Sequence, residues 1–141
     1  MSIYKGIAYN KNGTNGLAYT KDGLSVNLTP INTDGKGTNP EELLALSWAA
    51  CLNSTAKSVL RLRNLDTESL VKVEVDIDRV EKKGLIFIPK AYFAVKGMSL
   101  ADTLEILNVA HKNCPVSKLL KPNEETAVFP VLYDDLIKEF L

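Results

Sequence analysis

A helix start followed by a long run without glycine or proline is the feature that most constrains this fold. Asn39 can cap the helix, Pro40 fits its first position, and Glu42 completes a relative of the capping box. The chain then continues to about Asn64 without glycine or further proline, and it is rich in small and apolar residues. A helix of roughly 24 residues is about 36 Å long. The pattern therefore predicts a central helix that packs on several sides.

An alternating pattern after this helix predicts a β-hairpin. Apolar and charged residues alternate over residues 70–80, which indicates a strand with one face in water. A turn at residues 81–84 leads into a second predicted strand, residues 85–95. Pro89 lies within this second strand and predicts an edge position or a bulge, because proline cannot donate a ladder hydrogen bond.

Turn dipeptides in the first third of the chain predict a meander of short antiparallel strands. Asn12-Gly13 and Asp22-Gly23 favour tight turns, because these residue types tolerate positive φ angles. The predicted strands are residues 3–9, 17–20 and 24–28.

The last third predicts two more helices, a strand and a helical tail. Ser99 caps a second helix that ends at about Cys114, and Pro115 opens a short helix that ends at Leu120. Residues 126–133 predict a last strand, and residues 134–141 predict a short amphipathic helix. The order of elements predicts one α+β domain over residues 1–141, with the meander and hairpin packed around the long central helix and the second helix.

Charge and composition exclude several classes of protein. Lysine plus arginine and aspartate plus glutamate both number 17, so the net charge is zero and no nucleic-acid partner is expected. No apolar run reaches the roughly 20 residues of a membrane span. The first residues show no secretory signal. A cytoplasmic protein without a membrane partner is therefore expected.

The two cysteines, Cys51 and Cys114, are too few for a disulfide scaffold, and a chain of this size does not need one. A pair of cysteines in a reducing compartment leaves three alternatives, namely inert core thiols, part of a metal site, or a redox couple. A lone cysteine in an alanine-rich helix, such as Cys51, is more often a small buried side chain than a nucleophile.

Two motifs around these cysteines carry a family resemblance. The first is Gly37-Thr38-Asn39-Pro40-Glu41-Glu42-Leu43-Leu44, leading to Ala49-Ala50-Cys51, and the second is Ala110-His111-Lys112-Asn113-Cys114-Pro115-Val116-Ser117. Together they resemble the OsmC/Ohr family of thiol-dependent organic hydroperoxide reductases. The resemblance extends over nearly the whole chain, because the order of strands and helices fits as well.

The resemblance implies a peroxidase cycle with two cysteines. Cys51 is expected to be the thiolate that attacks an alkyl or lipid hydroperoxide, and Cys114 is expected to resolve the resulting sulfenic acid as a disulfide. A nearby thiol protects a sulfenic acid from irreversible oxidation. The resemblance also implies an external dithiol reductant, usually a protein-bound lipoyl group. No cofactor and no metal are expected.

Two aromatic neighbours of the cysteines leave several alternatives open. His111 lies three residues before Cys114 and could belong to a metal site, but tetrahedral zinc would need another ligand. A nucleophile–base pair of Cys51 and His111 is a second alternative. A structural role, or polar tuning near the resolving thiol, is the expectation for His111. Trp48 is expected in the core, although it could line an apolar pocket beside Cys51.

Glu41 matches the catalytic glutamate of the family, and helix geometry predicts where it acts. Ten residues along a helix separate Glu41 from Cys51 by about 15 Å in rise and about 80° in azimuth. Glu41 cannot touch the cysteine of its own helix, so it would serve the site of a second subunit. This predicts a two-fold homodimer, in agreement with the intertwined dimer of the family. The alternative is an ordinary first-turn glutamate that interacts with the helix dipole.

The arginine that steadies the thiolate in family peroxidases has no counterpart here. The first arginine of the chain is Arg61, and Lys36 is the nearest lysine to the Gly-Thr-Asn-Pro turn. Lys36 is therefore the expected cation for Cys51, although lysine lacks the planar fork of arginine. Two functions follow: a peroxidase, or alternatively a redox sensor or hydrophobic-ligand-binding protein with little turnover.

Overall fold

Short strands and tight turns form the first of two compact units, Met1–Leu43, in the computed structural model, which describes residues 1–141. Strands β1 (Ala8–Asn10), β2 (Gly16–Thr20) and β3 (Ser25–Leu28) pair antiparallel in that order. The predicted meander is confirmed, but its first strand begins at Ala8 rather than at residue 3. Ala8 pairs with the last residue of β2, so earlier residues have no strand opposite them.

The Gly-Thr-Asn-Pro motif connects this sheet to helix α1 (Pro40–Leu62). The Thr38 N–H donates to the Asn27 carbonyl oxygen at 2.8 Å. A Cβ atom on Gly37 would lie 2.6 Å from the same oxygen, so this close approach requires glycine. Asn39 Oδ1 then accepts the Glu42 N–H at 2.8 Å, which confirms the predicted helix cap.

The second unit, Leu44–Leu141, contains the predicted hairpin as the main part of a mixed sheet. Strands β4 (Ser69–Val80) and β5 (Gly84–Val95) pair antiparallel along their whole length. Strand β6 (Ala127–Pro130) pairs parallel to the second half of β5, so β5 is the central strand.

Pro89 lies in β5 opposite Val75, in a continuous register, so the predicted bulge is wrong. The edge alternative holds only locally, because the parallel pairing with β6 begins one residue later, at Lys90. At Pro89 the strand therefore has a neighbour on one side only, and the missing N–H of proline removes no ladder bond on the open side.

The two helices after the hairpin begin at the residues that the sequence predicts. Helix α2 (Leu100–Asn113) is capped by Ser99, whose Oγ accepts the Asp102 N–H at 3.2 Å. Helix α3 (Pro115–Leu120) begins directly after Cys114.

The C-terminal elements are shorter than predicted. The last strand is β6 rather than residues 126–133, because it ends with its pairing to β5 at Pro130. The predicted tail helix over residues 134–141 is reduced to α4 (Tyr133–Leu136) and one 3-10 turn (Ile137–Glu139). Its start lacks a side-chain cap, and Tyr133 and Leu136 are its only buried residues, so little holds a longer helix.

The core of the second unit lies between one face of its sheet and the helices. Buried side chains of α1, β4, β5 and α2 form one cluster: Trp48, Leu52, Ala56, Val59, Leu60, Val71, Ala91, Phe93, Val95, Ile106, Leu107, Ala110 and Cys114. A second cluster joins Ala94 to Tyr133 and Leu136 of α4. The predicted α+β class is confirmed, while the single domain over residues 1–141 stays a prediction. None of the helices combines the length and the hydrophobicity that a bilayer span requires.

Candidate functional site: a pair of thiols between two helices

The sulfur atoms of Cys51 and Cys114 lie 3.3 Å apart, with the Cys114 thiol donating to Cys51 Sγ. Both cysteines are free thiols; Cys51 is half-buried and Cys114 is buried. The structure thus brings together the two cysteines that are 63 positions apart in the sequence. Two sulfurs at this separation can form a disulfide with little movement of the backbone.

The backbone at Cys114 is fixed by the proline that follows it. A residue before proline avoids the helical region, and Cys114 is extended, with φ −68° and ψ 122°. Helix α2 therefore ends at Asn113 with Cys114 as its C-cap, and α3 begins at once with Pro115 in its first turn. This break directs the first turn of α3 toward the sulfur atoms.

Two backbone amides in that first turn face the two sulfurs. The Ser117 N–H donates to Cys114 Sγ at 3.5 Å, so Cys114 caps α3 with its side chain. The backbone amide of Val116 lowers the pKa of Cys51 and so favours its thiolate. Backbone N–H groups in such positions stabilise negative charge on sulfur.

Burial nevertheless raises the pKa of the Cys51 thiol above its ordinary value. The Val116 amide opposes this shift, whereas the Cys114 thiol adds to it. The second unit by itself therefore keeps Cys51 mostly as a neutral thiol at neutral pH. A further positive charge would be needed to make Cys51 a ready nucleophile.

Trp48 is fully buried one turn before Cys51, as the sequence predicts for a core residue. Its indole Nε1–H donates to Ser117 Oγ at 2.8 Å, and Ser117 is also buried. Neither this bond nor the Val116 amide follows from the sequence patterns. The one local signal is the proline after Cys114. It predicts that a helix starts there, but it does not predict which residue bonds to the Ser117 side chain.

His111 packs near Trp48, with ring centroids 6.3 Å apart. Its Nδ1 atom is buried and has no hydrogen-bond partner, and no hydrogen bond joins it to either sulfur. Burial lowers the pKa of His111, so the ring is neutral near pH 7. No group of three or more histidine, cysteine or acidic side chains is arranged to hold a metal ion.

The two charged candidates, Lys36 and Glu41, lie in the first unit. Lys36 is exposed in the loop before α1, and no salt bridge joins it to Glu41. Glu41 is half-buried, and its Oε2 atom is shielded from solvent without a hydrogen-bond partner. Its neighbour Glu42 instead accepts a bond from Thr38 Oγ1 at 2.9 Å. The structure thus leaves one carboxylate oxygen of Glu41 unpaired.

Comparison with known proteins decides the family. A family model described as OsmC-like protein matches residues 33–128, which is more than half of the chain and includes both cysteines. The chain belongs to the OsmC family.

Proteins named for organic hydroperoxide resistance match this chain over most of their own length. An organic hydroperoxide resistance protein-like relative from Mycoplasma pneumoniae is 31% identical over 124 residues, covering 85% of this chain and 89% of the relative. The structure of the organic hydroperoxide resistance protein OhrB of Bacillus subtilis has a TM-score of 0.84 at 25% identity, covering 93% and 99% of the two chains. An organic hydroperoxide resistance protein OsmC from Legionella pneumophila has a TM-score of 0.82 at 26% identity, covering 94% and 98%. The OsmC/Ohr fold is thereby confirmed.

Proposed function

We propose that this OsmC-family protein is a thiol-dependent peroxidase that reduces organic hydroperoxides. The observation that carries the proposal is the 3.3 Å separation of the Cys51 and Cys114 sulfurs. Relatives named for resistance to organic hydroperoxides support the choice of substrate. The partly exposed Cys51 is accessible to substrate, whereas the buried Cys114 is not, which suits a nucleophile and a resolving thiol.

In the first step, the Cys51 thiolate attacks the distal oxygen of the hydroperoxide. A sulfur–oxygen bond forms, the oxygen–oxygen bond breaks, and the alkoxide leaves with the bonding electrons. A proton from water converts the alkoxide to an alcohol, and Cys51 becomes a sulfenic acid. The Val116 amide stabilises the thiolate before the attack.

In the second step, Cys114 attacks the sulfur of the Cys51 sulfenic acid. The sulfur–sulfur bond forms as the sulfur–oxygen bond breaks, and the hydroxide leaves with the Cys114 proton as water. The sulfurs need to approach only roughly 1 Å closer to reach bonding distance. An external dithiol, which we propose to be a lipoyl group on a protein, then reduces the disulfide and becomes a disulfide itself.

We also propose that two chains form a homodimer in which Glu41 of each serves the cysteine pair of the other. The unpaired Oε2 of Glu41 supports this, because a buried carboxylate oxygen without a partner is costly. Lys36 is the proposed cation that replaces the family arginine, since it precedes the Gly37 turn in the same loop. A lysine beside the site would favour the thiolate.

Replacing Cys114 with serine tests the division of roles between the two cysteines. In the parent protein, an alkyl hydroperoxide should remove free thiols two at a time, because each sulfenic acid is captured by Cys114. In the Cys114→Ser variant, Cys51 should accumulate as a sulfenic acid that dimedone labels, and mass spectrometry of the Cys51 peptide measures the adduct. Labelling that is as strong in the parent protein as in the variant would contradict the resolving role.

A redox sensor or a hydrophobic-ligand-binding protein is the second candidate function. The raised pKa of Cys51 favours it, because a thiol that is mostly protonated reacts slowly. The two candidates differ in rate: a peroxidase consumes alkyl hydroperoxide much faster than free cysteine does, in the presence of a dithiol. A rate no faster than that of free cysteine would favour the second candidate.

A further inference from the structure

One buried hydrogen bond joins the helix that carries Cys51 to the helix that follows Cys114. Trp48 Nε1–H donates to Ser117 Oγ at 2.8 Å across 69 positions of sequence. Trp48 is 0% exposed and Ser117 is 2% exposed, so water does not compete for either partner. A bond of this kind fixes the first turn of α3 against α1.

That first turn holds the amides that face the two sulfurs. The Ser117 N–H donates to Cys114 Sγ at 3.5 Å, and the Cys114 thiol donates to Cys51 Sγ at 3.3 Å. The backbone amide of Val116, one residue earlier, lowers the pKa of Cys51. Helix α3 has only six residues, and so short a helix has little stability of its own. Its position therefore depends on its contacts, among which the bond from Trp48 is the buried side-chain hydrogen bond that ties it to α1.

We propose that Trp48 and Ser117 are positioning residues for the peroxidase reaction, because their hydrogen bond holds the first turn of α3, with the Ser117 N–H on Cys114 Sγ, against the pair of thiols. The inference rests on the proposed function for its role in catalysis. The effect of this bond on the stability of the Cys51 thiolate does not depend on that function, because it exists in the protein without substrate. Neither residue touches the substrate in this role; each acts through the backbone of α3.

Removing either partner leaves a buried polar group unpaired and frees the first turn of α3. Ser117→Ala deletes the hydroxyl, and Trp48→Phe deletes the indole N–H while retaining a large aromatic ring. In both variants the first turn of α3, with the backbone amides of Val116 and Ser117, is expected to move away from the two sulfurs, so the Cys51 thiolate loses part of its stabilisation. Both variants keep the titratable neighbours Cys114 and His111.

The experiment measures the pH dependence of alkylation of Cys51 by iodoacetamide in the full chain. Mass spectrometry of the Cys51 peptide separates this reaction from that of Cys114. Each single variant should raise the pKa of Cys51 by about half a unit or more, and slow alkylation below that pKa by about threefold or more. Because both changes break one bond, the double variant should shift the pKa no further than the larger single shift.

A matched control removes another buried serine hydroxyl that bonds to α1. Ser69 Oγ donates to Asn53 Oδ1 at 2.6 Å, and Ser69 is 4% exposed. Ser69→Ala should lower the free energy of unfolding by an amount similar to Ser117→Ala without changing the pKa of Cys51. This comparison separates a general loss of stability from a loss of positioning.

Unchanged alkylation profiles in Ser117→Ala and Trp48→Phe would overturn the inference, as would an equal shift in Ser69→Ala. Additive shifts in the double variant would overturn it too, since two separate effects would then be at work. The alkylation requires no hydroperoxide. A protein that fails to consume hydroperoxide but shows the expected shifts would refute the proposed peroxidase while retaining the positioning pair.

Discussion

At the scale of single residues, burial controls what His111 can do. Its Nδ1 atom has no partner and its pKa is lowered, so the protonated ring is disfavoured in the folded protein. This argues against a role as a cation beside the thiols. It fits instead the structural role that the sequence predicts for this residue, next to the ring of Trp48.

The lowered pKa of His111 predicts that the protein loses stability in mild acid. The unfolded chain takes up the proton near the ordinary pKa of 6.5, whereas the folded chain binds it only at lower pH. The free energy of unfolding should therefore fall as pH drops from about 7 toward 5, by at most about 1.4 kcal/mol per pH unit for one proton. Urea unfolding curves recorded between about pH 7 and pH 5 measure this free energy.

The matched variant for this prediction is His111→Phe, which keeps a ring but cannot bind a proton. Its free energy of unfolding should change less between pH 7 and pH 5 than that of the parent. Equal slopes in the two proteins would show that other groups cause the acid dependence.

At the scale of elements, local signals predicted most starts correctly because capping is a local interaction. Asn39 and Ser99 each accept the N–H that their motifs predict, and Pro115 opens α3. The prediction for residues 3–7 was wrong because a strand needs a partner, and β2 ends at Thr20. The sequence of one strand does not show how long the strand that pairs with it will be.

The candidate site shows the same division between local and distant information. The roles proposed for Cys51 and Cys114 came from motifs that resemble a family, and the structure brings the two sulfurs together. The bond from Trp48 to Ser117 could not be predicted, since it joins positions 69 residues apart. Only packing of the helices determines which buried polar atoms meet.

Gly37 gives a prediction for the turn that leads into α1. A Cβ atom there would lie 2.6 Å from the Asn27 carbonyl oxygen, so Gly37→Ala must displace the backbone before the helix cap. The variant should lose about 1–3 kcal/mol of unfolding free energy in urea. Gly6→Ala is the control, because its Cβ atom would meet only Tyr4 at 3.7 Å. Equal stabilities of the two variants would contradict the steric argument.

At the scale of the whole molecule, the first unit is too exposed to account for its own stability. Leu28 is its only buried residue, while Leu24 is 61% exposed. An apolar cleft of about 190 Å³ lies on this unit, lined by Ala8, Ala18, Tyr19, Thr20, Leu24, Val26 and Leu43. A unit of 43 residues with so little buried surface requires another surface to cover it.

The proposed homodimer supplies such a surface and can be measured directly. Light scattering at working concentration should return twice the 15.5 kDa of one chain. Leu24→Lys should shift the protein toward monomer, because it places a charge on the apolar face of the first unit. A monomer in the parent protein would contradict both the dimer and the role of Glu41 in a second subunit.

The short distance between the two thiols also links oxidation to chain entropy. A bond between Cys51 and Cys114 would close a loop across 63 positions, joining the middle of α1 to the junction of α2 and α3. Closing a loop of this length restricts the unfolded chain and adds about 4 kcal/mol of stability in the loop-closure model. The oxidised protein would then melt at a higher temperature than the reduced one. Each reduction by a dithiol would return the molecule to its more easily unfolded form.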